Sequence, residues 1–316
     1  MTRLRLRNES GQAITLTVIA LTGIIGMTAL VLDVGSWFRA QRKLQSIADA
    51  AALAGAQALP ESTSDALGLA QANGTKNSFT INGASVTFTT KAMGNDTIQV
   101  KISEDQPGFF ARVFGVNKVK VGATGVARAY NLGEARYVAP IAVDKNHPLL
   151  HCSNGAKATC NPTFGQETTL DLLKLKKGGG STGAGNFGLI DLANGNGSVG
   201  SGDLASWIQY GYNDPLPLGT YQGVPSAKYH DSQMKGALEI RTGDVLLFPV
   251  YSSYKDNGSN LTFNIIGWVG FRVTGFDTTS ADGTLTGTFE SYVAQGLESS
   301  DSSEPYLGVK KVTLVG

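Results

Sequence analysis

The two cysteines, Cys152 and Cys160, are the only thiol groups in the chain. Seven loop-type residues separate them, so a disulfide between them would close a small loop. His147 and His151 lie just before, which leaves a zinc site with two nitrogen and two sulfur ligands as an alternative, although the spacing matches no standard zinc motif. The cellular compartment decides between the two readings, because disulfides persist in oxidising environments.

A glycine-rich stretch carries oxygen ligands of the kind that calcium accepts. An EF-hand loop needs regularly spaced carboxylates and a closing Glu, and this stretch has too few carboxylates at the wrong spacing. The sequence therefore favours a solvated loop over a calcium site, and we expect no metal or cofactor. The candidate ligands are Asp191, Asn194, Asn196, Ser198 and Asp203.

No arrangement typical of a catalytic site is evident. The chain lacks a Gly-x-Ser-x-Gly motif, and His230 beside Asp231 is only a neighbour pair. The glycines at 178–180 lack the Lys-Ser/Thr ending of a phosphate-binding loop. A membrane-anchored hydrolase would need convergent carboxylates or a nucleophile and base that the sequence does not reveal. We therefore expect a protein that is not an enzyme.

The composition resembles that of an exported β-rich protein. Only 16% of the residues are charged, and 40 of the 316 are glycine. The net charge of +1 gives no electrostatic reason to bind nucleic acid. A length of 316 residues leaves room for two domains beyond an N-terminal helix.

The N-terminal region reads as a membrane span that continues into a helical stalk. Residues 13–32 contain no charge, and a helix of that length rises roughly 30 Å, the thickness of a bilayer core. A cleaved signal peptide has a shorter apolar region ending at a small-residue site, so we predict an uncleaved anchor. We expect residues 1–12 to be a cytoplasmic tail and residues 13–33 to cross the membrane once. The bulk of the chain would then lie outside the cytoplasm, which favours the disulfide.

Two residues at the end of this span have a predicted role at the membrane surface. Asp33 follows the apolar run where water begins, and Trp37 suits the headgroup layer, so together they would fix the depth of the helix. Pairing of Asp33 with a basic residue of a neighbouring subunit is the alternative.

Residues 34–60 predict a stalk with a seam of mostly small apolar side chains. The spacing alternates between three and four, the pattern of a helix that packs against another helix. We therefore expect these positions to contact a partner. The predicted helix-packing residues are Leu44, Ile47, Ala51, Ala54 and Ala58.

The first sixty residues resemble TadE/TadG-like proteins of the tight-adherence (Flp) pilus machinery. The resemblance rests on Glu9, Gly11 and Gln12, on Asp33-Val34-Gly35 and Leu44-Gln45, and on the Ala-Asp-Ala-Ala-Ala-Leu-Ala run at 48–54. It implies a bacterial envelope protein that assembles with, or anchors, a surface filament.

The remainder predicts an α+β protein in two parts. Residues 61–130 read as a small pilin-like α/β unit with a helix over 64–72, strands over 85–90, 97–102 and 119–129, and a helix beginning at Pro107. Residues 131–316 read as a β-rich sandwich or barrel-like domain, with strands over 244–251, 261–274, 284–294 and 307–315.

Two functions are expected, the first implied by the resemblance and the second suggested by the organisation of the chain. The first is a membrane-anchored, non-enzymatic component of Tad/Flp-type pilus assembly. Its partners would be membrane lipid and, through the N-terminal helix, other pilus-assembly or pilin-like proteins. The second is a membrane-tethered adhesin or carbohydrate-binding protein, which an exposed aromatic groove would favour. The aromatic residues available for such a groove are Trp207, Tyr210, Tyr212 and Tyr221.

Overall fold

The computed structural model describes residues 10–153, 159–173, 185–193, 199–256, 261–279, 283–294, 296–298 and 305–315. Their contacts define two compact units. The first contains residues 10–89, 97–128 and 314–315, and the second contains residues 90–96 and the described part of 129–313. The protein is of the mixed α+β class, with a long N-terminal helix followed by β-rich structure, as the sequence predicts.

Helix α1 (Ser10–Ala56) is unbroken and changes character along its length. Residues 12–32 are mostly apolar, and nearly all of them are exposed. Among the described residues, α1 is the one helix long and apolar enough to cross a membrane. From Leu44 to Ala56, by contrast, one face of the helix is buried.

The first unit packs this buried face against a sheet and a second helix. Helix α2 (Thr63–Lys76) and strands β1 (Val86–Thr89), β2 (Thr97–Pro107) and β3 (Lys118–Ala135) follow α1. The three strands are antiparallel, and β2 pairs with β3 from Thr97↔Arg128 to Pro107↔Lys118. Gly125 allows β3 to approach the helix, since a Cβ at this position would lie 2.4 Å from the Ala48 carbonyl.

The second unit is built around a closed five-stranded barrel. The barrel order is β10–β8–β6–β4–β9–β10, and only the β4–β9 pairing is parallel. The strands of this unit after β3 are β4 (Ile141–Asp144), β5 (Glu167–Asp171), β6 (Phe187–Ile190), β7 (Leu216–Pro217), β8 (Gly219–Val224), β9 (Val245–Asp256), β10 (Leu261–Asp277), β11 (Thr284–Glu290), β12 (Tyr292–Val293), β13 (Gly296–Glu298) and β14 (Val309–Leu314).

Helices α3 (Ser201–Tyr210) and α4 (Ser232–Arg241) pack against each other in the second unit and bury apolar side chains in its core. The sequence reading missed both. Asp231 caps α4 by accepting from the Gln233 N–H at 2.9 Å. The carboxylate of Asp203 accepts from the Gly200 N–H at 3.2 Å at the start of α3.

Two further expectations were wrong in detail. Helix α2 continues past Asn73-Gly74 to Lys76, because Gly74 serves packing and does not end the helix: a Cβ there would lie 2.7 Å from Ile81 side-chain atoms. Pro107 ends strand β2 and does not open a helix. The helix expected after it is one short 3-10 turn, Ala111–Phe114.

Candidate functional site: the junction of helix α1 and the 108–117 loop

Asp33 lies at the centre of a junction between α1 and the turn that joins β2 to β3. Its side chain is buried, with 1% of the residue exposed. Oδ1 accepts from the Phe109 N–H at 3.1 Å, and Oδ2 accepts from the N–H groups of Phe110 at 3.0 Å and Ala111 at 2.7 Å. The carboxylate thus accepts hydrogen bonds from three amides that precede or begin a 3-10 turn, where no backbone acceptor is available.

Residues 108–117, which we call the apolar loop, form a closed turn. The Gly108 N–H donates to the Asn117 carbonyl at 3.1 Å, and the Val116 N–H donates to the Ala111 carbonyl at 3.0 Å. Gly108 has no room for a side chain, since a Cβ would lie 2.5 Å from the Val116 carbonyl oxygen. Gly115 has a φ of +83°, which glycine adopts without strain.

Trp37 makes a second link between the helix and the loop. Its indole Nε1–H donates to the Pro107 carbonyl at 3.2 Å, one turn of helix beyond Asp33. The sequence places Asp33 and Trp37 together as depth markers, and the structure also gives both of them partners inside the chain. A basic residue of a neighbouring subunit could reach the Asp33 carboxylate only by competing with three amides.

The side chains of the apolar loop point mainly away from the fold. Val113 and Phe114 are each 84% exposed, and Phe109, Phe110 and Val116 are also exposed. A groove of about 510 Å³ lies between the loop and α1. On the helix side it is lined mostly by residues of the apolar run, namely Thr22, Ile25, Gly26, Ala29, Leu30, Asp33 and Trp37.

The cationic groups of this junction are exposed to solvent. Arg112 is the one charged residue within the loop, and Lys118 follows it at the start of β3; both are exposed. The junction therefore holds one buried, hydrogen-bonded carboxylate, an apolar surface and two exposed cations. Such a set can hold an apolar surface in place.

The predicted helix-packing residues divide into two groups. Leu44, Ile47 and Ala51 are buried by the first unit itself. A partner helix cannot pack against these three while this unit is folded, so the expected contact with a partner needs correction at these positions. Ala54 and Ala58 are half-buried and remain partly accessible.

Cys152 and Cys160 are joined by a disulfide, so their sulfurs are not available as zinc ligands. His147 Nδ1 accepts from the Leu149 N–H at 3.2 Å, and its Nε2 lies 3.2 Å from the Thr168 hydroxyl. Burial holds the pKa of His147 below its usual value, although Asp144 opposes the shift. The structure therefore uses His147 to cap a short turn.

The remaining candidates do not converge on a site among the described residues. Asn194, Asn196, Ser198 and the glycines at 178–180 lie outside the described residues. Within the described part, no cluster of three His, Cys, Asp or Glu side chains could hold a metal ion. His230 Nδ1 lies 2.8 Å from the Thr278 carbonyl, and Asp231 caps α4.

The aromatic groove expected for an adhesin is present only in part. Tyr221 is buried and donates its hydroxyl hydrogen to the Pro217 carbonyl at 2.6 Å. Trp207 and Tyr210 do line one cavity of about 340 Å³, together with Tyr137 and Tyr292, whereas Tyr212 packs edge-on against Trp207.

Comparison with known families confirms the resemblance of the N-terminal region. Residues 11–58 match the family described as putative Flp pilus-assembly TadE/G-like, and residues 39–127 match the family described as putative Tad-like Flp pilus-assembly. The two matches together span α1 and most of the first unit, including the apolar loop. No curated protein and no solved structure gives a significant match to the chain.

Proposed function

We propose, on the premise that residues 11–127 belong to the Tad pilus-assembly families, that this protein is a non-enzymatic, single-pass component of Tad/Flp-type pilus assembly at the bacterial envelope. Residues 13–33 cross the membrane, with residues 1–12 in the cytoplasm. A stalk over 34–60, an α/β unit over 61–130 and a β-rich domain over 131–316 lie outside it.

The observation that carries the proposal is the character of α1 within the matched region. Residues 12–32 are mostly apolar, and the described part of the chain leaves nearly all of them exposed. Thr17, Thr22 and Thr28 donate their hydroxyl hydrogens to carbonyls one turn earlier, at 2.8 to 2.9 Å, so these polar groups do not require water. The disulfide supports an oxidising location for the second unit.

Partners are proposed to bind α1 outside its buried face. Phe38 lies just beyond Asp33 and is 61% exposed, although it is a large apolar residue. A photo-crosslinking phenylalanine analogue at Leu21 or Phe38 should capture other pilus-assembly or pilin-like membrane proteins from intact cells. The same analogue at the exposed Tyr210 of the second unit is the matched control.

Two results would contradict the proposal. Crosslinks at Tyr210 but at neither Leu21 nor Phe38 would show that the helix only tethers the chain. Full protection of the residues beyond Glu61 from protease added to spheroplasts would show that the bulk of the chain lies in the cytoplasm.

The second candidate is a tethered carbohydrate-binding protein. The cavity that Trp207, Tyr210, Tyr137 and Tyr292 line favours it, because aromatic faces and the neighbouring Arg136 and Arg241 suit a sugar. Glycan-array binding that Tyr210→Ala abolishes would support this function, and binding unaffected by Tyr210→Ala would remove it.

A further inference from the structure

We infer that the apolar loop is a second membrane-contacting element, which enters the outer half of the bilayer beside α1 and whose groove holds lipid acyl chains. This inference rests on the proposed membrane anchoring of α1. It adds a lipid-binding surface to a chain whose family match implies only a pilus-assembly role.

The composition of the loop gives the first argument. Five of its ten residues are large and apolar, and all five are exposed. Contiguous apolar patches of this kind on soluble surfaces mark contacts with a membrane, a ligand or a protein. The exposed set is Phe109, Phe110, Val113, Phe114 and Val116.

The position of the groove gives the second argument. Its helix wall reaches from Trp37 down to Thr22. Thr22 is eleven residues before Asp33, which corresponds to roughly 16 Å along a helix, or about one leaflet of the hydrocarbon core. The loop therefore lies beside the part of α1 that the bilayer itself would surround.

The hydrogen bonding of the loop gives the third argument. Irregular backbone is tolerated at membrane depth only when its polar groups are satisfied within the protein. Three amides donate to Asp33, and four donate to carbonyls of the loop itself. The backbone N–H groups concerned are those of Gly108, Phe109, Phe110, Ala111, Val113, Gly115 and Val116.

The exposed cations in and beside the loop favour lipid over another protein chain as the occupant. Arg112 and Lys118 are exposed cations, and long basic side chains can extend from apolar surroundings to lipid phosphates. Trp37 borders the same groove and suits the headgroup layer. The groove is also continuous with the span, whose other faces the described part of the chain leaves bare.

Depth-dependent quenching tests the inference on the full chain in phosphatidylcholine vesicles. Both native cysteines are in the disulfide, so one introduced cysteine can carry an environment-sensitive NBD label. The three variants are Phe114→Cys in the loop, Leu21→Cys in the span and Ala92→Cys, an exposed residue of the second unit. The quencher is a phosphatidylcholine with a nitroxide on its acyl chain.

We expect about a two-fold loss of emission at positions 114 and 21 and little loss at 92, because only the first two positions lie in hydrocarbon. Quenching at 21 but not at 114 would overturn the loop inference and leave the anchor intact. Absence of quenching at both positions would overturn the anchor and the inference with it. The label at position 114 could also be quenched only after the protein is diluted in the membrane. That result would show that the loop binds a second copy of the chain and not lipid, and it would overturn the inference.

Discussion

The loops before and after strand β2 are each held by an aspartate carboxylate that accepts hydrogen bonds from three successive backbone amides, but the two aspartates come from different parts of the chain. In the loop at residues 90–96, which we call the polar loop, Asp96 accepts from the N–H groups of Lys91, Ala92 and Met93 at 3.0, 2.8 and 3.0 Å. In the apolar loop, Asp33 accepts from three successive amides at 3.1, 3.0 and 2.7 Å. Both carboxylates are buried.

The difference lies in where the acceptor comes from. Asp96 is three to five residues from its donors, so the polar loop carries its own cap. Asp33 is 76 to 78 residues from its donors and reaches them because α1 packs against β2 and the following 3-10 turn within the first unit. The hydrogen bonds that cap the apolar loop therefore depend on the attachment of the helix, whereas the side-chain cap of the polar loop comes from a residue of that loop.

The largest expected effect is that of Asp33→Ala. A hydrogen bond to a charged group contributes about 1.5 to 3 kcal/mol, and the three amides share one acceptor, so their losses do not add; we expect a local loss of about 3 kcal/mol. Hydrogen exchange at Phe109 to Ala111 should become about 100-fold faster, which is that free energy expressed as a rate.

Asp96→Ala is the matched control for this substitution. It should accelerate exchange at Lys91 to Met93 and leave the amides of the apolar loop slow. Unchanged protection at Phe109 to Ala111 in Asp33→Ala would mean that the loop does not depend on the helix carboxylate.

The same contrast explains what could be predicted from the sequence. The unbroken α1, the strands over 97–102 and 119–129 and a barrel-like second unit follow from apolar periodicity, which is a local signal. The disulfide follows from the only two cysteines and the expected compartment. The role of Asp33 could not be found this way. Nothing in the sequence near this residue indicates that its carboxylate accepts hydrogen bonds from amides that lie 76 or more residues later.

Helices α3 and α4 were missed for a different reason. Gly200, Gly202 and Gly211 flank or enter α3 and suggest a loop, and the core of the second unit overrides that preference by burying Leu204 and Ile208. Helix α4 did have a local signal. Asp231 stands at an N-cap position before apolar residues with helical spacing, at Met234, Ala237 and Leu238.

A smaller effect is expected from Gly125→Ala, which tests whether helix packing holds the apolar loop. The new Cβ would lie 2.4 Å from the Ala48 carbonyl, and overpacking of this kind costs about 1 to 3 kcal/mol. The apparent unfolding temperature in detergent should fall, and exchange at Phe109 to Ala111 should rise while that at Lys91 to Met93 does not.

Gly122→Ala provides the comparison within the same strand. Gly122 is exposed, and its nearest contact for a Cβ is the Ile102 carbonyl oxygen at 3.4 Å, so this variant should behave nearly as the parent. Equal destabilisation by the two substitutions would show that the loss comes from the strand and not from contact with α1.

Trp37→Phe should destabilise the junction less than Asp33→Ala or Gly125→Ala. The substitution keeps an aromatic ring but removes the hydrogen bond to the Pro107 carbonyl, which is worth about 0.5 to 1.5 kcal/mol. Exchange at Gly108 to Ala111 should become a few-fold faster, well short of the Asp33→Ala effect. Acceleration as large as in Asp33→Ala would move the main attachment of the loop from the carboxylate to the indole.

The smallest expected effect on stability concerns His147 in the second unit. Like the two aspartates, His147 caps a turn, but its side chain can gain a proton as the pH falls. Its Nδ1 accepts from the Leu149 N–H, and burial lowers its pKa from 6.5, so the folded protein holds it neutral. Below pH 6.5 the unfolded chain binds the proton more readily than the folded one. Stability is therefore fully present above pH 6.5 and is lost as the pH falls through the lowered pKa of the folded state.

His147→Asn supplies an uncharged acceptor that suits a cap, and hence removes this dependence. Denaturant unfolding at pH 7.5 and pH 5.0 should show a larger loss of stability in the parent than in the variant. An equal loss in both proteins would assign the acid sensitivity to other groups and leave His147 a cap without a switch.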